Sequence, residues 1–502
     1  MTKIKTPAKD IVPVGQKMAF GAGHLVLNLL PGALGVFMFF LLTAFGMDPF
    51  LAGLLGGLPR IFDALTDPIM GFISDNTNSK WGRRRPYIFI GAILSGILFA
   101  LLWQLDPENT ESYNFWYFLI MSMVFLIGNT MFATPLVGLG YEMTSDYNER
   151  TRLMAFSQTI GQIAWMIVPW FWVIISSTDM LPISDEETAR IAGLGLSDPE
   201  TAKMTLEAVQ ANGVRKLSVI VGAVCIVMGV LPAFFCKGID SAHMGNRKEI
   251  SFKSLGANLV DLFKGIAQVF ENKPFTKLCG ATFLVFNGFQ MVAAFSVYII
   301  VFYMYNGSYD AAGTLPAWFS TVTAILTAFG VIPIVSWMAN KYGKKNAFIY
   351  STAISIVGYL LKWWAFDPDN IWLLFMPIPF MAFGLGGLFT LMMSMTADVC
   401  DLDELKNGMP RKEGTFGAIY WWMVKLGQAL ALVMGGAVLK MVGFDGAAVQ
   451  QTAETMTSLR IADVAIPAST AGIAILIMWS YSLSEDRARD IKTELIERRG
   501  EL

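Results

Sequence analysis

Runs of about 20 or more mainly apolar residues recur along the whole of this 502-residue chain, each long enough to cross roughly 30 Å of hydrocarbon as a helix. Twelve can be delimited, near 18–45, 49–76, 86–104, 115–142, 153–176, 216–237, 274–304, 315–340, 346–365, 372–399, 414–440 and 464–483. With 54% of residues hydrophobic and 15% charged, the chain is expected to be an all-α integral membrane protein with twelve transmembrane helices. The bilayer is therefore its first partner.

Basic residues fall in alternate short loops, which fixes an expected orientation. Lys80, Arg83, Arg84 and Arg85, then Arg150 and Arg152, then Lys341, Lys344 and Lys345 alternate with 105–114 and 366–370, which carry no lysine or arginine. Both termini and the basic loops are expected in the cytoplasm, and the protein in a cytoplasmic membrane, since bacterial outer-membrane spans are barrels. Residues 1–17 are polar and lead into a first span expected to be retained rather than cleaved.

Two longer connections interrupt the pattern. Residues 177–214, with Asp185, Glu186, Glu187, Asp198 and Glu200, are expected to form an acidic external cap, part of it helical. Residues 238–273 contain FKSLGANLVDLFKGIAQVF, the pattern of an amphipathic helix lying on the inner membrane surface. The expected domains are a six-helix half at 1–237, this linker at 238–273, a second six-helix half at 274–483 and a cytoplasmic tail at 484–502. An internal repeat supports the division: PIMGFISDNTNSKWGRRRPYIFI at 68–90 matches PIVSWMANKYGKKNAFIY at 333–350, between spans 2 and 3 and again between spans 8 and 9.

Nucleic acid is an unsuitable partner, because net charge is −2 and the basic residues are spread among loops. Cys225, Cys236, Cys279 and Cys400 have no metal-ligand spacing and are expected to be small core residues. No Walker loop, dinucleotide fingerprint or zinc-ligand cluster appears, so no cofactor is expected.

The stretch 60–85, RIFDALTDPIMGFISDNTNSKWGRRR, carries the chemistry. Asp63 and Asp67 are four residues apart, so on a helix they share one face with Cβ atoms about 5–6 Å apart. A charge at a bilayer centre costs about 2.5–3.5 kcal/mol on insertion scales, and a bound cation is the natural compensation for two. Lys425, near the middle of span 11, is equally expensive; pairing with a carboxylate across the two halves is its expected remedy. Glu142, Asp146, Glu149, Arg150 and Arg152 at the inner end of span 4, and Asp398, Asp401, Asp403 and Glu404 at that of span 10, are expected to form a cytoplasmic gate with Arg83, Arg84, Arg85 and Lys344.

GFISDNTNSKWGRRRP resembles the cytoplasmic loop motif of the major facilitator superfamily. RIFDALTDPIMGFISD, GYEMTSDYNERTR at 140–152, and ADVCDLDELKNG at 397–408 followed by Lys425 are similar to the signature segments of the glycoside-pentoside-hexuronide:cation symporter family, in order and in the right spans. The resemblance implies the major facilitator fold of two pseudo-symmetric six-helix halves and no enzymatic activity. It places Asp63 and Asp67 as cation-site carboxylates, with Thr66 where sodium-coupled relatives have asparagine and Thr130 matching a cation-site threonine. An oxygen donor at each position suits sodium better than a proton as the co-transported ion.

On the substrate side the chain departs from the family. Asn28, Ala133 and Gln158 stand where acidic residues and an arginine hold a galactosyl unit, and Val137 and Phe389 stand where there are tryptophans. Expected substrate contacts are His24, Asn28, Gln158, Gln162, Phe389 and Trp422, of which only one of Trp421 and Trp422 can point inward. The expected function is cation-coupled symport of a sugar or glycoside by alternating access. The same fold carrying an organic anion or a lysolipid is the alternative; an intramembrane aspartyl protease is disfavoured because both aspartates lie on one helix and no GxGD-type motif occurs.

Overall fold

A computed structural model of the chain describes residues 11–144, 147–177, 179–194, 197–237, 270–407, 413–446 and 450–499, with the single positions 256, 260, 264 and 448. Among the described residues all regular structure is helical: α1 Val14–Thr43, α2 Pro49–Asn76, α3 Arg85–Leu102, α4 Glu111–Glu142, α5 Tyr147–Ile167, α6 Trp170–Ser176, α7 Asp185–Ala192 and α8 Asp198–Phe235. There follow α9 Lys273–Tyr298 with a π-helical extension Ile299–Met304, α10 Tyr309–Ala312, α11 Leu315–Ile325 leading through a π-helical turn Leu326–Val331 into α12 Ile332–Tyr342, and α13 Lys344–Ala365. A 3₁₀ turn, Ile371–Phe375, precedes α14 Ile378–Asn407, α15 Glu413–Met441, α16 Ala453–Trp479 and α17 Glu485–Arg499. The expected amphipathic helix of the 238–273 connection falls almost wholly outside the described residues.

Ten helical stretches among the described residues are long and apolar enough to cross a membrane. The expected spans 2 and 9 are outside that set, yet α2 and α13 are helices of 28 and 22 residues. Each carries a buried charged side chain, Asp63 in α2 and Lys362 in α13, and that polarity lowers its hydropathy.

Span 6 begins earlier than expected. The helix starts at Asp198 rather than near 216, because Ser197 and Glu200 form a capping box and Pro199 occupies the first turn. Much of the expected acidic cap is thus the first turns of α8, with the short α7 before it.

By contacts the chain separates into two compact units, Met1–Leu55 with Phe62–Leu259, and Gly56–Ile61 with Val260–Leu502. In the first, α3 packs on α4 and α8, and α1 on α5 and α8. In the second, α13 packs on α14 and α16, and α9 on α15 and α16. Spans 1, 3, 4, 5 and 6 therefore repeat their packing as spans 7, 9, 10, 11 and 12, which is the internal repeat realised in three dimensions. In the first unit α3 and α8 touch backbone to backbone at Gly96 and Gly222, where a Cβ on either residue would run into the other's carbonyl oxygen. The core of this unit is aromatic, with Phe37, Phe99, Trp103 and Phe118 in a chain of ring contacts.

The second unit contains an ion pair that the sequence reading did not single out. Lys362 of α13 donates to Asp463 of α16 at 2.6 Å and to the Ser296 hydroxyl of α9 at 3.3 Å, and both charged side chains are buried. Arg460, one turn before Asp463, lies over the Tyr303 and Trp363 rings and donates to the Trp363 carbonyl. Three spans are thereby tied at one level. Removing one member of such a pair strands a buried charge, whereas removing both does not. Asp463→Asn is expected to cost about 3–5 kcal/mol, read as a loss of thermal stability of the purified protein in detergent, and Lys362→Met/Asp463→Leu to recover most of it. Equal losses in the single and double variants would contradict this account.

Candidate functional site

The site is built on α2 and α4 of the first unit. Asp48 caps α2, its carboxylate accepting from the Phe50 and Leu51 amides at 2.9 and 3.3 Å, and Pro49 sits at the first helical position. Thr110 caps α4 by accepting from the Tyr113 amide at 3.3 Å. The two starts are joined, because the Asp48 amide donates to the carboxylate of Glu111 at 2.6 Å.

From that common start the two helices run parallel. Thr130 Oγ1 donates to Asp63 Oδ1 at 3.0 Å, and Thr134 Oγ1 donates to Asp67 Oδ1 at 3.3 Å. Thr66 Oγ1 bonds the Asp63 carbonyl at 3.1 Å and lies 3.3 Å from Thr130 Oγ1. Asp63 is 3% exposed and Thr130 2%, while Asp67 is half-buried. All four residues expected at the cation site, Asp63, Thr66, Asp67 and Thr130, are therefore brought together, and Thr134 joins them. Thr134 was missed in the sequence, although it is one helical turn beyond Thr130 on the same face.

Chemically this is a cluster of hard oxygens: two carboxylates and three hydroxyls. A hard cation of the size of calcium or sodium sits about 2.3–2.6 Å from its oxygen ligands, which puts ligands at right angles about 3.3–3.7 Å apart. At 3.0–3.3 Å the contacts among these groups are hydrogen bonds, and they gather the oxygens together between α2 and α4. Among the described residues no three His, Cys, Asp or Glu side chains converge to hold a metal, so the donor set does not suit zinc.

Also in the first unit, His24 and Asn28 lie one turn apart on α1. Asn28 Nδ2 donates to the His24 carbonyl at 2.9 Å, and Trp165 Nε1 of α5 donates to Asn28 Oδ1 at 2.9 Å. His24 packs edge-on against Phe20 with centroids 4.7 Å apart, and its Nε2 is buried without a hydrogen-bond partner. Gln162 is half-buried; the side chain of Gln158 is outside the described residues. Trp165 was not foreseen as the partner of Asn28.

In the second unit Lys425 and Trp422 are half-buried on α15. Phe389 of α14 stacks on Trp421 with centroids 6.4 Å apart and meets Phe286 edge-on at 6.1 Å. The ring beside Phe389 is Trp421, the neighbour of the expected substrate contact Trp422.

The basic loops carry ion pairs within each unit. Arg83 and Arg84 both donate to Glu142 Oε1 at the end of α4, Arg83 Nε at 2.8 Å, and Arg84 also pairs with Asp75 at 2.6 Å. Lys344 pairs with Asp398 at 2.6 Å at the matching place in the second unit. Arg85 departs from the expected gate: it donates to the carbonyls of Ala233 and Phe234 and so closes the C-terminal end of α8. Asp401 is half-buried on α14, and Asp146 and the Arg150 side chain lie outside the described residues. Glu149, ahead of span 5, takes the Lys17 ammonium at 2.6 Å and the Val12 amide at 3.1 Å. Burial pushes the Glu149 carboxyl up, but the Lys17 and Val12 hydrogen bonds and the Lys17 and Arg152 charges outweigh it and hold it below the usual carboxylate range. Glu142→Gln takes charge from an acceptor shared by two guanidiniums and is expected to cost about 1.5–3 kcal/mol, whereas Asp75→Asn, at a side chain 49% exposed, should cost about 0–1 kcal/mol. Thermal unfolding of the two variants checks the order; equal losses would refute it.

The chain matches the family model described as MFS/sugar transport protein over residues 19–485. It is 23% identical to the sodium-dependent lysophosphatidylcholine symporter 1-B of Danio rerio, over 99% of this chain and 92% of that protein. It is likewise 23% identical to the isoprimeverose transporter of Lactiplantibacillus pentosus, over 95% of this chain and 90% of that one. Among solved structures it resembles a bacterial homologue of the human lysosomal transporter Spinster in an inward-facing, unoccupied conformation, with a TM-score of 0.63 and 16% identity, over 95% of this chain and 97% of that one. Helical structure throughout the described residues, ten membrane-length helices among them and a family match over nearly the whole chain converge: the protein belongs to the MFS/sugar transport family of the major facilitator superfamily, and is a multi-pass membrane transporter rather than an enzyme.

Proposed function

We propose that the protein is a cation-coupled symporter, driven by sodium in preference to protons, that carries a sugar or glycoside by alternating access. The observation that carries the reading is the oxygen cluster on α2 and α4, in which Thr130 lies 3.0 Å from Asp63 and 3.3 Å from Thr66. A proton would need only one suitably tuned carboxylate; three hydroxyls arranged around two carboxylates supply the coordination that a metal ion requires. The cation enters with the substrate from outside and both leave on the cytoplasmic side, with the basic loops and both termini in the cytoplasm of a cytoplasmic-membrane protein. Lys425 takes the coupling role implied for it by the family.

The neutral polar groups of α1 and α5 support an uncharged polyhydroxyl cargo. The buried Nε2 of His24 lacks a partner, and Asn28 and Gln162 are amides able to bond hydroxyls. The stacked Phe389 and Trp421 offer flat apolar faces of the kind a pyranose ring covers. A lysolipid is the second reading, favoured by the likeness to the lysophosphatidylcholine symporter over almost all of this chain and by Val137, which is 40% exposed where the family resemblance implies a tryptophan. Uptake of a panel of labelled glycosides against labelled lysophosphatidylcholine separates the two.

Cation and cargo must raise each other's affinity by one factor, about 5–150-fold for an ordinary coupling energy. Asp63→Asn and Asp67→Asn are each expected to abolish sodium-driven accumulation in proteoliposomes, leaving the internal cargo concentration near the external one. Concentrative uptake by both variants would overturn the site.

A further inference from the structure

The second threonine of α4 is placed like the first. Asp63 and Asp67 are one turn apart on α2, Thr130 and Thr134 one turn apart on α4, and the same offset of 67 residues links each hydroxyl to its carboxylate. We propose that Thr134 is a further oxygen donor of the cation site, serving Asp67 as Thr130 serves Asp63, and that its hydroxyl strengthens the binding of a metal ion. This rests on the cation-site reading above and extends it to a residue that the family resemblance does not mark.

Two features of Thr134 itself support the assignment. A serine or threonine inside a helix ordinarily turns its hydroxyl back on the carbonyl three or four residues earlier. Ser95, Ser122, Thr323 and Thr396 do so here, onto Gly91, Leu119, Phe319 and Met392. Thr134 instead sends its hydroxyl to a carboxylate on another helix, as Thr130 does. Its orientation is also held from the other side. A Cβ on Gly71, one turn beyond Asp67, would stand 3.7 Å from the Thr134 methyl, so the methyl lies over Gly71 while the hydroxyl lies over Asp67.

The hydroxyl can fill both roles at once. It has one proton to donate and two lone pairs. Donation to Asp67 keeps that carboxylate in place, and the lone pairs remain for a cation. Valine at this position keeps the β-branched shape and removes the oxygen.

The test is equilibrium binding of radiolabelled sodium to the purified full-length protein without any cargo. Thr134→Val is expected to weaken saturable sodium binding about tenfold, as the loss of one ligand of several would, and Thr134→Ser to restore it. Thr134→Ala serves in place of the valine variant should that fail to yield folded protein. Wild-type binding in both Thr134→Val and Thr134→Ala, with binding lost in Asp63→Asn, would overturn the role of Thr134 and leave the cation site standing. Absence of saturable sodium binding in the unmodified protein would remove both. Weakened binding in Thr134→Val that serine does not rescue would mark a packing effect and also overturn the proposal.

Discussion

Everything in this protein is arranged around the cost of placing charge in hydrocarbon. That cost is about 2.5–3.5 kcal/mol for each charged group on insertion scales. In the second unit, Lys362 and Asp463 neutralise each other between α13 and α16, with Ser296 of α9 as an additional acceptor. The outcome is a tie between three spans. In the first, Asp63 and Asp67 accept hydrogen bonds from threonine hydroxyls of α4. Each hydroxyl holds a carboxylate oxygen of the neighbouring helix in place.

The helices that hold the carboxylates are registered at three levels. Glu111 joins the start of α4 to the cap of α2, the two Asp–Thr contacts join their middles, and Glu142 at the end of α4 takes Arg83 and Arg84 from the loop that follows α2. The second unit repeats the last of these devices with Lys344 and Asp398, and it repeats the helix packing of the first.

Most of the fold was legible because the bilayer allows so few solutions: apolar runs of sufficient length must be helices, and basic loops alternate. Helical periodicity puts Asp63 and Asp67 on one face, the family resemblance marked Thr66 and Thr130, and the structure brings the four together. Thr134 escaped because attention went to the position that the family marks, not to its neighbour one turn on. Asp463 escaped for a different reason. The last span was drawn from residue 464, which left Asp463 at a boundary, whereas the helix begins at Ala453 and carries Asp463 well inside. A span limit drawn from hydropathy retreats from the very charges that a protein interior can pair. Arg85 was grouped with Arg83 and Arg84 by adjacency, but on a helix start adjacent side chains diverge, and Arg85 reaches the end of α8.

The central claim is that an ion binds the carboxylates of α2. Infrared difference spectroscopy of the reconstituted protein, exchanged between sodium and choline, reads it directly. The account predicts sodium-induced shifts of carboxylate bands that disappear in Asp63→Asn and in Asp67→Asn. A difference spectrum without carboxylate bands, or one that both variants leave unchanged, would contradict it.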